Sequence, residues 1–144
     1  MSKKKEILVV YILTKLELGG AQKVCLSLFN GFKNLDDFSS FLISSTDGIL
    51  VDQVKNLSSV CLLKSLKREL SLKSIFTEIG AFWDLFIELK RIKKDNPDLQ
   101  IIVHTHSTKA GILGRWAALF AGIKNRIHTI HGYAFHKHQS YLSW

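Results

Sequence analysis

A chain of 144 residues, 47% of them apolar, is long enough for one domain with an ordinary core and too apolar for intrinsic disorder. Its 20 Lys and Arg against 12 Asp and Glu leave a net charge of +8, which suits anionic partners such as nucleic acid, nucleotides, phosphorylated sugars or anionic lipids without choosing among them. Cys25 and Cys61 lie in apolar patterns with no CxxC spacing, so they read as reduced core thiols of a cytoplasmic protein, not as a disulfide or a metal knuckle.

The start, MSKKK followed by an apolar run, imitates a secretion signal. The run ends at Leu13 and Thr14-Lys15 follow with no small-residue cleavage site, so residues 6–13 read as a strand buried on both faces of a parallel sheet. Gly19-Gly20 break the chain. Ala21, Val24, Cys25, Leu28 and Phe32 then recur at helical spacing as far as Lys33. Residues 38–44 and 59–63 form a second and a third strand, with a short, weakly patterned helix over 49–57. A basic connector, KSLKRELS over 64–71, leads to a long helix from Leu72 with apolar positions at Ile75, Phe76, Ile79, Trp83, Phe86 and Leu89. Lys90, Arg91, Lys93 and Lys94 suit its carboxyl end, and Pro97 marks its stop.

Trp83, Phe86 and Phe76 read there as core and not as stacking platforms, and the basic residues scatter, so no nucleic-acid partner is expected. LQIIVHT supplies a fourth strand, residues 109–121 a helix stopped by Gly122, and RIHTIH a fifth strand. No apolar stretch reaches the roughly 20 residues that cross a bilayer. Strands alternating with helices predict an α/β fold, a Rossmann-like parallel sheet with helices on both faces and right-handed crossovers. The chain closes on HGYAFHKHQSYLSW with no helix to cover the fifth strand, and on this pattern it reads as cut short.

In such sheets ligands bind at the carboxyl ends of the strands, where three loops gather: TKLELGGAQK, HTHSTKAG and HGYAFH. Gly19-Gly20 open a helix whose dipole favours phosphate, although a glycine pair is also ordinary turn chemistry. The GxGxxG and GxxxxGK[ST] fingerprints are absent. Ser107 or Thr108 can cap the next helix, and Lys109 in its first turn opposes the dipole unless an anion sits beside it; a solvated lysine is the other reading. Ala110, Gly111, Gly114, Ala117, Ala118 and Ala121 form a small-residue surface for close packing on the sheet.

All six histidines fall between His104 and His138, with no acid or cysteine among them, so a metal site is not expected. His104 and His128 fit neutral rings hydrogen-bonded around a polar cleft. His131, beside Gly132 at the exposed end of the fifth strand, is the candidate to touch substrate. No GxSxG elbow supports a serine nucleophile.

Together, ILTKLELGGAQKVCLSL and PDLQIIVHTHSTKAGILGRWAALFAGIKNRIHTIHGYAFH resemble the amino-terminal half of glycosyltransferase family 4, retaining enzymes of the two-domain GT-B fold. The resemblance covers essentially the whole chain and departs at Gln22-Lys23, where the family usually has Glu-Arg. It implies a nucleotide-sugar co-substrate and no metal cofactor. It puts Gly19 and Gly20 near the donor diphosphate and His131 beside the transferred sugar as the catalytic candidate. His106, Lys109 and Gly132 then fall on the acceptor side.

The acceptor implied is a glycan or lipid-linked sugar of cell-envelope polysaccharide synthesis, reached from the cytoplasm at the inner face of the membrane. The family's carboxyl-terminal donor-binding domain, with its E-x7-E element, is not in this sequence, so the chain alone is expected to be inactive. An acceptor-binding subunit of a split enzyme and a non-enzymatic nucleotide-binding module are the alternatives.

Overall fold

The computed structural model describes residues 6–66 and 75–131. Five strands, β1 (Ile7–Leu13), β2 (Phe38–Ser45), β3 (Val60–Leu63), β4 (Gln100–His106) and β5 (Asn125–Thr129), form one parallel sheet in the order β3-β2-β1-β4-β5. Four helices connect them: α1 (Gly20–Lys33), α2 (Val51–Val54), α3 (Ile75–Asp95) and α4 (Thr108–Phe120). The expected Rossmann-like α/β architecture is the one found.

β1 lies in the middle because its run of Ile, Leu, Val and Tyr can be buried on both faces. Its alternation divides two cores. Leu8, Val10 and Ile12 pack with Leu85, Leu89, Ala110 and Ala117 of α3 and α4, while Val9, Tyr11 and Leu13 pack with Cys25, Phe29, Leu50 and Val54 on the other face. Both cysteines are free thiols. Burial pushes Cys25 up to about 12 and half-buried Cys61 up to about 11.

Two expectations need correction. α2 is a single turn and not the longer helix read over 49–57. On α3 the buried apolar positions are Ala81, Leu85, Leu89 and Ile92, whereas Phe76 is 85%, Trp83 53% and Ile79 49% exposed. The helix is apolar on more than one side, and the sheet takes the face bearing Ala81 and the leucines, which leaves Phe76 and Trp83 on the opposite one. Leu72 and residues 67–71 of the basic connector lie outside the described residues.

On α4 the small face lies against the sheet as its spacing predicts: a Cβ on Gly114 would come 2.9 Å from Thr105 Cγ2, and one on Gly111 would come 2.5 Å from the His128 ring. Gly122, at φ 74°, ends the helix, and the Ile123 N–H donates back to the Ala118 carbonyl at 2.8 Å.

Candidate functional site

The carboxyl ends of β1, β4 and β5 and the amino ends of α1 and α4 surround a cavity of about 610 Å³, bordered by Thr14, Gly20, Ser107, Lys109, His128 and His131 among others. α1 starts with no acid in its first turn and no side-chain cap at Gly19, so its first N–H groups and its dipole are left for an anion. Gly19 is extended (φ −160°, ψ 164°), a conformation any residue adopts. A Cβ there would meet only the end of the Gln22 side chain, and one on Gly20 would meet nothing within 4 Å. The fold therefore demands glycine at neither position. A side chain at Gly20 would intrude only on the cavity it borders.

The loop after β1 is tied to the loop after β4 by the Thr14 and Ser107 hydroxyls, 3.1 Å apart. Ser107 holds φ 73° and ψ 152°, a region that favours glycine, and so stores strain at the cavity wall. It occupies the N-cap position of α4, but its hydroxyl goes to Thr14 and not to the helix backbone, and Thr108 is already helical. The side-chain cap expected at Ser107 or Thr108 is therefore not formed.

β4 and β5 contribute a histidine layer. His104 and His106 share a face of β4, in register with Tyr11 and Leu13 of β1. His106 is fully buried; its Nδ1 lies 2.7 Å from His131 Nε2, and its own Nε2 has no partner. Burial first, then neighbouring His104, His131 and His128, lowers His106 to about 3, so its ring is neutral.

A buried N–H without a partner is costlier than a lone pair without one. The network thus assigns the His106 proton to Nδ1, where it donates to His131 Nε2. His131 then carries a proton on Nδ1, and it stands exposed at the cavity wall.

His104 Nε2 lies 2.7 Å from Thr129 Oγ1. The Thr105 hydroxyl donates to the Ile127 carbonyl, so it accepts from His128 Nδ1 at 2.9 Å. Burial lowers the pKa of both histidines. For His104 the charges of His128 and His131 add to this; for His128 the charge of Arg115 adds to it, against a hydrogen bond to the Thr105 carbonyl. Both rings are hydrogen-bonded as anticipated, but of the two only His128 borders the cavity. Among the described residues no three His, Cys, Asp or Glu side chains converge in a way that could hold a metal.

Lys109 is 4% exposed and donates to Glu78 Oε1 of α3 at 2.6 Å. The anion asked for beside that lysine is a carboxylate of the same chain. Of the sequence candidates, His131, Lys109 and Gly20 border the cavity, His106 lies buried behind His131, and Gly19 stands at the start of α1. Gly132 lies outside the described residues, as does the rest of the HGYAFH loop. Thr14 and Glu78 were not legible as site residues, since each acts through a partner distant in the chain.

The sheet order and the cleft at its carboxyl edge define a Rossmann-like α/β domain. The crystal structure of MurG from Acinetobacter baumannii shares this fold, with a TM-score of 0.60 and 15% identity over 88% of this chain and 37% of that one. No protein-family model matches the chain.

In sequence the chain is related to a glycosyltransferase. It is 37% identical over 118 residues to the Escherichia coli UDP-Gal:alpha-D-GlcNAc-diphosphoundecaprenol alpha-1,3-galactosyltransferase, which covers 82% of this chain. The chain spans 28% of that enzyme's length.

Proposed function

We propose that the chain is the amino-terminal, acceptor-side domain of a retaining glycosyltransferase of family 4, which moves a hexose from a nucleotide sugar to a lipid-diphosphate-linked sugar. The observation that carries the reading is the 37% identity to an enzyme named for UDP-galactose and a diphosphoundecaprenol-linked GlcNAc. UDP-galactose is accordingly the donor to try first. The cavity agrees in its chemistry: an uncapped helix start and a bare Gly20 on one wall face His131 and the β4–α4 loop on the other.

Transfer with retention requires stabilising a departing nucleoside diphosphate and an oxocarbenium-like sugar, which preorganised donors do. The N–H groups at Gly20 and Ala21 receive the diphosphate. His131, positioned by His106, donates from Nδ1 to the transferred sugar or the acceptor. Lys109, held by its bond to Glu78, serves the acceptor side. The nucleotide is held by polypeptide outside these 144 residues, supplied either by the same enzyme or by a partner chain, so the chain alone transfers nothing.

The test gives the full-length enzyme radiolabelled UDP-galactose and a short-chain, water-soluble GlcNAc-diphospho-lipid. Product is expected, with His131→Ala about 100-fold slower in kcat and the 144-residue chain silent. Absence of transfer to any diphosphate-linked acceptor, or an unimpaired His131→Ala enzyme, overturns the reading. Product from the 144-residue chain overturns its dependence on further polypeptide.

A further inference from the structure

A second cavity, of about 880 Å³, opens at the amino edge of the sheet, across the molecule from the candidate cleft. It lies where α3 and α4 end and β4 and β5 begin. β4 spans the distance between the two. Gln100 and Ile101 border this cavity, and His106, behind the candidate cleft, ends the strand about 20 Å away. The volume is that of a small-molecule site.

An apolar wall, Leu99 and Ile123 among its residues, is ringed by five cations and, among the described residues, by no acid. Cations at the carboxyl end of a helix ordinarily serve its free carbonyls. Here other groups do so. Lys93 donates to the Ala121 and Gly122 carbonyls, at 3.4 and 2.8 Å, and the Ala118 and Leu119 carbonyls accept from the N–H groups of Ile123 and Gly122. At the end of α3 the Ile92 carbonyl accepts from both the N–H and the side-chain amide of Asn96. Arg91 is held by Glu88 and Asp95, and Asp98 is engaged elsewhere and does not line the cavity. Lys90 lies over the Phe86 ring, 5.9 Å from its centre, and among the described residues Lys94 and Lys124 have no acid partner. Three positive charges therefore border one hollow, and they repel one another unless an anion joins them.

We propose that this cavity is a binding site for an organic phosphate, whose phosphoryl oxygens are taken by Lys90, Lys94 and Lys124 and whose less polar body lies on Leu99 and Ile123. A bare inorganic anion would leave the apolar wall uncovered, and an uncharged apolar ligand would leave the lysines unmatched. A nucleoside diphosphate has both parts, a charged end and a flat body.

The site stands apart from the transfer reading. None of its three lysines borders the candidate cleft, and none of the residues given a part in transfer borders this cavity.

The test follows the backbone amides of the 144-residue chain by two-dimensional nitrogen–proton NMR during titration with ADP, with adenosine and with pyrophosphate. ADP should give saturable shifts at Gln100, Lys124 and Asn125. Adenosine should give none, and pyrophosphate should bind about tenfold or more weakly than ADP. Lys94→Gln/Lys124→Gln should weaken ADP about tenfold or more, while its amide spectrum away from the cavity matches the parent's. No saturable shift, shifts confined to Gly20 and Ala21, or unchanged ADP binding in the variant would each overturn the proposal. Pyrophosphate binding as tightly as ADP would overturn it too, since the apolar wall would then contribute nothing. In the full-length enzyme, without ADP, the same variant should transfer sugar at the parent's rate, which separates this test from that of the proposed function.

Discussion

His106 sits where a sheet interior meets a cleft, and its burial has a consequence for stability. Its folded pKa is depressed from the ordinary 6.5 to about 3, so the folded state binds no proton there over a range in which the unfolded chain does. Its contribution is fully present above pH 6.5 and is lost progressively as pH falls towards 3. At pH 5 the loss from this residue amounts to about 2 kcal/mol, and the lowered His104 and His128 act in the same direction. Urea unfolding at pH 7.5 and pH 5 should show the drop, and His106→Asn should flatten it. An unchanged slope in that variant would assign the acid sensitivity elsewhere.

Ser107 makes a second case. Removing its hydroxyl alone, in Ser107→Ala, breaks the tie to Thr14 and keeps the strained φ of 73°. Ser107→Gly breaks the same tie and relieves the backbone. The glycine variant should therefore be more stable than the alanine variant by about 1–2 kcal/mol in urea unfolding. Equal stabilities would mean that the backbone there is unstrained.

α3 and α4 are joined at their amino ends by the Lys109–Glu78 pair, and this is a junction between elements more than a property of either residue. The pair is mostly withdrawn from solvent, with 4% and 18% of the side chains exposed. Breaking such a pair from one side leaves a desolvated charge behind, whereas replacing both by apolar groups is far milder. Lys109→Met and Glu78→Leu should each destabilise, and the double variant should be more stable than the sum of the two predicts, with a coupling of about 1–3 kcal/mol. Strict additivity would show the contact to be incidental.

The junction also marks where the sequence was readable. α4 could be placed from Ala110, Gly111, Gly114 and Gly122, because small residues on one face and a glycine stop are local signals. Glu78 could not be assigned to Lys109, because 31 residues separate them and only the fold brings the helices together. The aromatic face of α3 departs from expectation for a related reason. Periodicity reports that a helix has an apolar side, but on a helix with two such sides only the neighbouring sheet decides which is buried. His131 and Gly20 were legible because the carboxyl edge of a parallel sheet is a topological location; the hydroxyl tie and the strained Ser107 are properties of the closed loops alone.

β1 couples the two halves of the molecule. It is hydrogen-bonded to β2 on one side and β4 on the other, and its alternate side chains enter both cores, so neither core can open while β1 stays in place. β5 is held differently. Among the described residues it pairs only with β4, and Asn125, Arg126 and Ile127 are exposed. Its outward amides lack a ladder partner there, and its inward side chains contribute little to either core. Amide hydrogen exchange should therefore divide the sheet.

The amides of β1 should exchange only through global unfolding, with one free energy and one denaturant slope whichever core the side chain enters. Those of β5 should exchange by local opening, about 100-fold faster or more. The adjacent residues Val10 and Tyr11 make the sharpest comparison, since their side chains belong to opposite cores. Two distinct free energies at that pair would mean that the helix layers unfold independently and that β1 is not the element joining them. Equal protection of β5 and β1 would mean that the sheet's edge is covered in solution.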